Sequence, residues 1–130
     1  MVSVETEKMT INIGTVDLGK VDVLVEEGFY SNRSDFIRTA IRRQLTTHDN
    51  DTASSIARKS MTIGAIRLGR KELQEQVASG QKVVISVVGL LAIASDVPAE
   101  LARESIESVK VRGAFRASTE IKAALADRMQ

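Results

Sequence analysis

The sequence predicts an α+β chain: an N-terminal strand followed by two helices, then a small C-terminal βαβαβα segment of parallel, repeat-like character. Three observations predict it. Residues 8–13 alternate apolar and polar side chains, residues 15–45 carry apolar side chains at helical spacing, and beyond Ser60 strand-like and helix-like stretches follow one another three times. The 130 residues are 43% hydrophobic, enough to bury a core as one domain or two very small ones.

In Lys8-Met9-Thr10-Ile11-Asn12-Ile13, the apolar Met9, Ile11 and Ile13 alternate with Lys8, Thr10 and Asn12, so a strand there has one dry face and one polar face. Gly14 and Thr15 end the alternation, and Thr15 is the expected N-cap of a helix running to about Glu27. Leu18, Val21, Leu24 and Val25 form its apolar stripe, and Gly28 is placed to stop it as a C′ glycine. Gly19 weakens this helix by about 1 kcal/mol relative to alanine, so packing must hold it. A second helix is expected after Ser31, with Asn32 as N-cap and Asp35 three residues on, close to a capping box. Its buried face is Phe36, Ile37, Ala40, Ile41 and Leu45.

One strand and two helices do not make a stable domain, because a lone strand leaves its backbone N–H and C=O groups unpaired. A second copy solves this. If two chains pair residues 8–13 antiparallel, both dry faces sit on the helices and Lys8, Thr10 and Asn12 of each chain project from the other side. Such a two-stranded ribbon has the size of element that enters the DNA major groove.

On these residues, and on Tyr30-Ser31-Asn32-Arg33-Ser34-Asp35-Phe36-Ile37-Arg38-Thr39-Ala40-Ile41-Arg42, the chain resembles the ribbon-helix-helix superfamily of DNA-binding proteins, the group of Arc, MetJ and the CopG-like repressors. The resemblance covers residues 8–45. It implies base-edge contacts by Lys8, Thr10 and Asn12. It also implies phosphate anchoring by the backbone amides of Asn32, Arg33 and Ser34, at the positive end of the second helix dipole.

Between Thr46 and Ser55 only Ala53 is apolar, which predicts a linker. The expected organisation is therefore a DNA-binding module over 1–46, a linker over 47–59 and a βα repeat domain over 60–130 for oligomerisation or sensing. The distal elements are expected at 61–68 (strand), 70–78 (helix), 83–94 (strand), 98–106 (helix), 109–116 (strand) and 119–128 (helix). Strand-helix alternation implies parallel pairing. Gly89 and Gly113 are 24 residues apart and Gly64 lies 25 before Gly89, a weak repeat within the leucine-rich-repeat range but without that family's Asn/Cys ladder. Both faces of the middle strand are apolar, as in a covered parallel strand, whereas Val109, Val111 and Phe115 alternate with Lys110, Arg112 and Arg116. That basic face reads either as a solvated edge or as a site for an anionic ligand or the DNA backbone.

Composition narrows the chemistry. The formal net charge is +1, with six Lys and Arg against eight Asp and Glu over residues 1–50, so that stretch stands at −2 and the remainder at +3. The absence of cysteine excludes disulfides, thiolate nucleophiles and cysteine-bound zinc. His48 is the one histidine and falls in the expected linker, which leaves no His-pair metal site or Ser-His-Asp arrangement within a chain. The eight glycines are dispersed, so no phosphate-binding glycine loop is present, and Glu26-Glu27 reads as solvated helix surface. No catalytic residue, cofactor or metal is expected. Residues 1–10 carry three charges and read as neither a secretory signal nor a transit peptide. The longest apolar run, 83–94, falls short of the roughly 20 residues a membrane-spanning helix needs. The expected compartment is the cytoplasm, with no membrane partner.

The reading that follows is a homodimeric, sequence-specific transcriptional regulator, a repressor by expectation, that binds double-stranded DNA and can assemble into a higher oligomer. Two alternatives stay open at this level. One is an antitoxin whose distal segment wraps a toxin protein. The other is a self-assembling structural protein.

Overall fold

A computed structural model describes residues 5–130, in two compact units: Thr6–Ser55, and Ile56–Gln130 together with Glu5.

In the first unit, residues 6–14 have no regular secondary structure, so the strand expected at 8–13 is not formed in the single chain. The reason is that a β-strand is defined by its partner, and an isolated stretch keeps its backbone groups on water. Helix α1 spans Thr15–Glu26. Its N-cap is Gly14 rather than Thr15, because the Gly14 carbonyl already accepts from Leu18 N–H at 2.9 Å and no side chain caps the end. The expected stripe holds: Val21 is buried and Leu18, Leu24 and Val25 are half-buried. Gly28, at φ +84°, ends the helix in a Schellman motif, with Gly28 N–H on Val25 O at 3.0 Å and Phe29 N–H on Leu24 O at 3.0 Å. Helix α2 spans Arg33–Thr47. Of its expected buried face only Phe36 is even half-buried, with its ring edge-on to Tyr30 at 5.0 Å. Ile37, Ile41 and Leu45 are 37%, 43% and 56% exposed, because no other described element of the first unit covers that side of the helix.

Helix α3 spans Asp49–Arg58, where the polar composition reads as a linker. Charge placement explains the helix: Asp49 and Asp51 lie in the first turn and Arg58 in the last, each matching the helix dipole. His48 closes α2 as its C-cap, and its carbonyl accepts from Thr52 N–H at 2.9 Å in the first turn of α3.

The second unit holds β1 (Thr62–Leu68), α4 (Arg70–Ala78), β2 (Val83–Ile93), α5 (Ala99–Ser105), β3 (Ile106–Arg116) and α6 (Thr119–Ala124), followed by a 3₁₀ turn at Ala126–Arg128. The three strands form one parallel sheet in the order β1-β2-β3. Helix α5 runs into β3 without a loop, so β3 begins three residues earlier than the alternation suggests. The 24- and 25-residue glycine spacings become one row across the sheet, Gly64 beside Gly89 beside Gly113. All three adopt φ between +134° and +139°. A Cβ on Gly89 would stand 2.0 Å from Gly64 O, and one on Gly113 would stand 2.1 Å from Gly89 O, so the neighbouring backbones approach more closely than any side chain permits.

The core lies on one face of the sheet. Leu73 of α4, Ala102 of α5 and Ile121 of α6 bury against Ile85, Val87, Leu91 and Ile93 of β2 and Ile106 and Val109 of β3. The middle strand is therefore not covered throughout on both faces as its composition suggests. Val84, on the opposite face, is 63% exposed and Ile63 of β1 is 71% exposed. Each helix follows its strand onto the same side, and its neighbours in the row are the other helices. The outer edge of β3 is partly covered by residues 129 and 130, through a parallel bridge from Val109 to Met129 and a bond from Gln130 N–H to Val109 O at 2.8 Å.

Candidate nucleic-acid interface

Lys8, Thr10 and Asn12 lie in the irregular segment ahead of α1 and are exposed, as are Met9, Ile11 and Ile13 at 70%, 57% and 43%. The single chain thus shows all six side chains to solvent and does not sort them into two faces.

Asn32, Arg33 and Ser34 are brought together at the start of α2. Asn32 is its N-cap, in extended conformation, and its Oδ1 accepts from Asp35 N–H at 2.8 Å. Asp35 Oδ2 in turn accepts from Ser31 N–H at 2.9 Å, one residue before the position a glutamate capping box would reach. The Asn-x-x-Asp spacing thus yields the Asn32 half of a capping box, while the Asp35 carboxylate takes the amide of Ser31 in place of that of Asn32. The amides of Arg33 and Ser34 belong to the first turn, where no intrahelical acceptor exists. They are the kind of donor that takes a phosphate oxygen at a helix N-terminus. Replacing Asn32 with alanine removes the cap on Asp35 N–H and is expected to lower stability by about 1 kcal/mol, read as a shift in the denaturant midpoint of the first unit's helical signal.

The Arg33 side chain is committed elsewhere. Its guanidinium donates two parallel bonds to Asp22 of α1, Nε to Oδ1 at 2.8 Å and Nη2 to Oδ2 at 2.8 Å. This fork joins the two helices and fixes how α2 leaves the Gly28 turn. Sequence reasoning missed it, since the partners are eleven residues apart and no spacing rule links them across a turn. The hydrogen bonds from Arg33 hold the Asp22 carboxyl below the usual carboxylate range. The folded value being the lower one, the pair's contribution is complete above the ordinary aspartate pKa of about 3.9 and is lost as the pH falls through the depressed value. A carboxyl-carbon NMR titration should therefore place the Asp22 midpoint below the ordinary aspartate value of about 3.9, and Arg33→Gln should raise it toward that value.

Among the described residues, no helix is long and apolar enough to cross a membrane, and no cluster of three His, Asp or Glu side chains is placed to hold a metal ion.

No curated protein and no solved structure matches the chain. One family model does, and it extends well beyond the residues that carry the ribbon-like pattern, through the whole parallel sheet to residue 122. With residues 4–122 matched by the model of the Ribbon-Helix-Helix transcriptional regulator family, the chain belongs to that family.

Proposed function

We propose that the protein is a homodimeric repressor that binds double-stranded DNA through an antiparallel ribbon built from residues 8–13 of two chains. The observation that carries this reading is the set of apolar side chains left in water by the single chain: Met9, Ile11 and Ile13 ahead of α1, and Ile37, Ile41 and Leu45 on one stripe of α2. At about 1.5–3 kcal/mol for each fully buried side chain, these residues on two chains amount to enough apolar burial to offset the roughly 4–15 kcal/mol of association entropy. Pairing also completes the backbone hydrogen bonds of residues 8–13.

In the dimer, Lys8, Thr10 and Asn12 of both chains face the major groove and specify bases, while the first-turn amides at Asn32, Arg33 and Ser34 hold phosphates. Asn32 serves both ends, its side chain capping Asp35 while the backbone beside it meets the anion. The second unit has its own buried core, which suits a folded oligomerisation or sensing domain better than a tail that wraps a toxin.

A stretch at −2 over residues 1–50 has little nonspecific attraction for DNA, so affinity per dimer is modest and rises when dimers occupy neighbouring half-sites. Fluorescence anisotropy with DNA from upstream of the protein's own gene tests this. The expected result is cooperative, salt-weakened binding in which Asn12→Ala narrows the preference for that DNA over a scrambled duplex. Binding that ignores salt, or none at all, is incompatible with the proposal.

A further inference from the structure

The three strands of the second unit end at one cleft of about 570 Å³, formed where Leu68 of β1, Ile93 of β2 and Arg116 of β3 give way to the segments that follow. At this carboxyl edge the chain turns away from each strand and leaves a crevice. Two arginines stand in it. The register places Arg67 beside Ala92 and Ala92 beside Arg116, so both cations lie in one row with a small residue between them. Two strand spacings separate their backbones by about 10 Å, a gap two long side chains close around one planar anion. They do so here. Glu5 Oε1 accepts from Arg67 Nη2 at 2.5 Å and Oε2 accepts from Arg116 Nη1 at 2.9 Å, one arginine on each oxygen.

We propose that this cleft is a binding site for a small carboxylate with an apolar body, and that Glu5 is an internal competitor for its anion position. The clamp recognises a carboxylate by geometry, not by the chain that carries it. Beside the clamp the wall is mainly apolar, with Leu68 and Ile93, while Ser95 and Ser118 supply hydroxyls. Glu72, which also lines the cleft, is turned to its own helix, accepting from Gly69 N–H at 3.0 Å. The hydrogen bonds from both arginines also hold the Glu5 carboxyl below its usual range, as a matched anion site requires. Arg116, from the basic face of the last strand, thereby acquires a use that a merely solvated edge does not have. Glu5 lies three residues before Lys8, so a ligand that displaces it frees the chain leading into the ribbon. That consequence rests on the DNA-binding reading; the site itself does not.

A tethered carboxylate competes at a millimolar effective concentration, so removing it should sharpen binding of a free one. The test is a ¹⁹F NMR titration of the full chain with 4-fluorobenzoate, without DNA, so that failure here and failure of DNA binding are separate results. Glu5→Ala should bind the probe at least tenfold more tightly than the unsubstituted chain. Adding Arg67→Gln and Arg116→Gln should remove that gain. All three side chains are substantially exposed, so the variants are expected to fold, with thermal midpoints as the check. Equal affinity in the unsubstituted chain and Glu5→Ala overturns the proposal. So does a folded triple variant that binds as Glu5→Ala does, or inorganic phosphate bound more tightly than 4-fluorobenzoate. In Glu5→Ala the probe should also shift the Ser95 and Ser118 amides; shifts confined to other residues overturn the assignment without recourse to the arginine variants.

Discussion

Gly89→Ala is expected to destabilise the parallel sheet by at least about 3 kcal/mol, the range in which backbone strain and a steric clash act together. The added methyl would stand 2.0 Å from the Gly64 carbonyl oxygen, and that oxygen is part of the paired backbone of β1 and has no rotamer by which to withdraw. The residue is also held at φ +139°, a conformation L side chains rarely adopt. Gly64 provides the internal comparison. It has nearly the same φ, +135°, but nothing within 4 Å of its virtual Cβ, so Gly64→Ala carries only the conformational penalty, about 1–3 kcal/mol, without the clash. Urea unfolding of the two variants, followed by amide signals of Leu91 and Val109, separates the terms. A difference within experimental error would mean that the strands can spread apart, and that close approach along the glycine row is not a structural requirement.

That row shows what is legible in the sequence and why. Two spacings, 24 and 25 residues, became residue-by-residue register across three strands, because a parallel βα stack repeats its geometry with each unit. The alternation of apolar and turn residues placed the distal elements to within a few residues, since periodicity is a property of each segment alone. The Asn32–Asp35 cap was legible for the same reason: both partners lie within one helical turn. Whatever depends on a remote or external partner was not. Residues 8–13 alternate as a strand does, yet they have no regular structure in the single chain. The exposed face of β2 depends on which side the helices settle, and Val84 looks as buried as Ile85 by composition. The polar run 49–58 hides a helix because its support comes from terminal charges and not from an apolar stripe. The Glu5 clamp joins residues 62 and 111 positions apart, and no local pattern carries such a contact.

The largest effect expected on function is that of Ile41→Asp. Ile41 is the middle of the exposed stripe on α2 and is 43% exposed in the single chain, so the monomer tolerates a charge there with little loss. A dimer that buries the stripe does not. Each copy would forfeit about 2 kcal/mol of apolar burial and add a further 1 kcal/mol or more for a carboxylate without a partner, and a symmetric interface contains the substitution twice. The sum, about 6 kcal/mol, raises the dimer dissociation constant by roughly four decades. Sedimentation equilibrium should then find the variant monomeric at concentrations where the parent chain is dimeric, and anisotropy should show loss of sequence-specific DNA binding. Amide signals of the parallel sheet should keep their positions, because that unit has its own core. The pattern discriminates between two uses of the second unit. If Ile41→Asp abolishes DNA binding yet leaves the chain associated, residues beyond Ile56 hold an interface of their own, and the α2 stripe serves to build the ribbon, not to hold the oligomer together. If dimer and DNA binding vanish together, the two chains meet through the N-terminal unit alone.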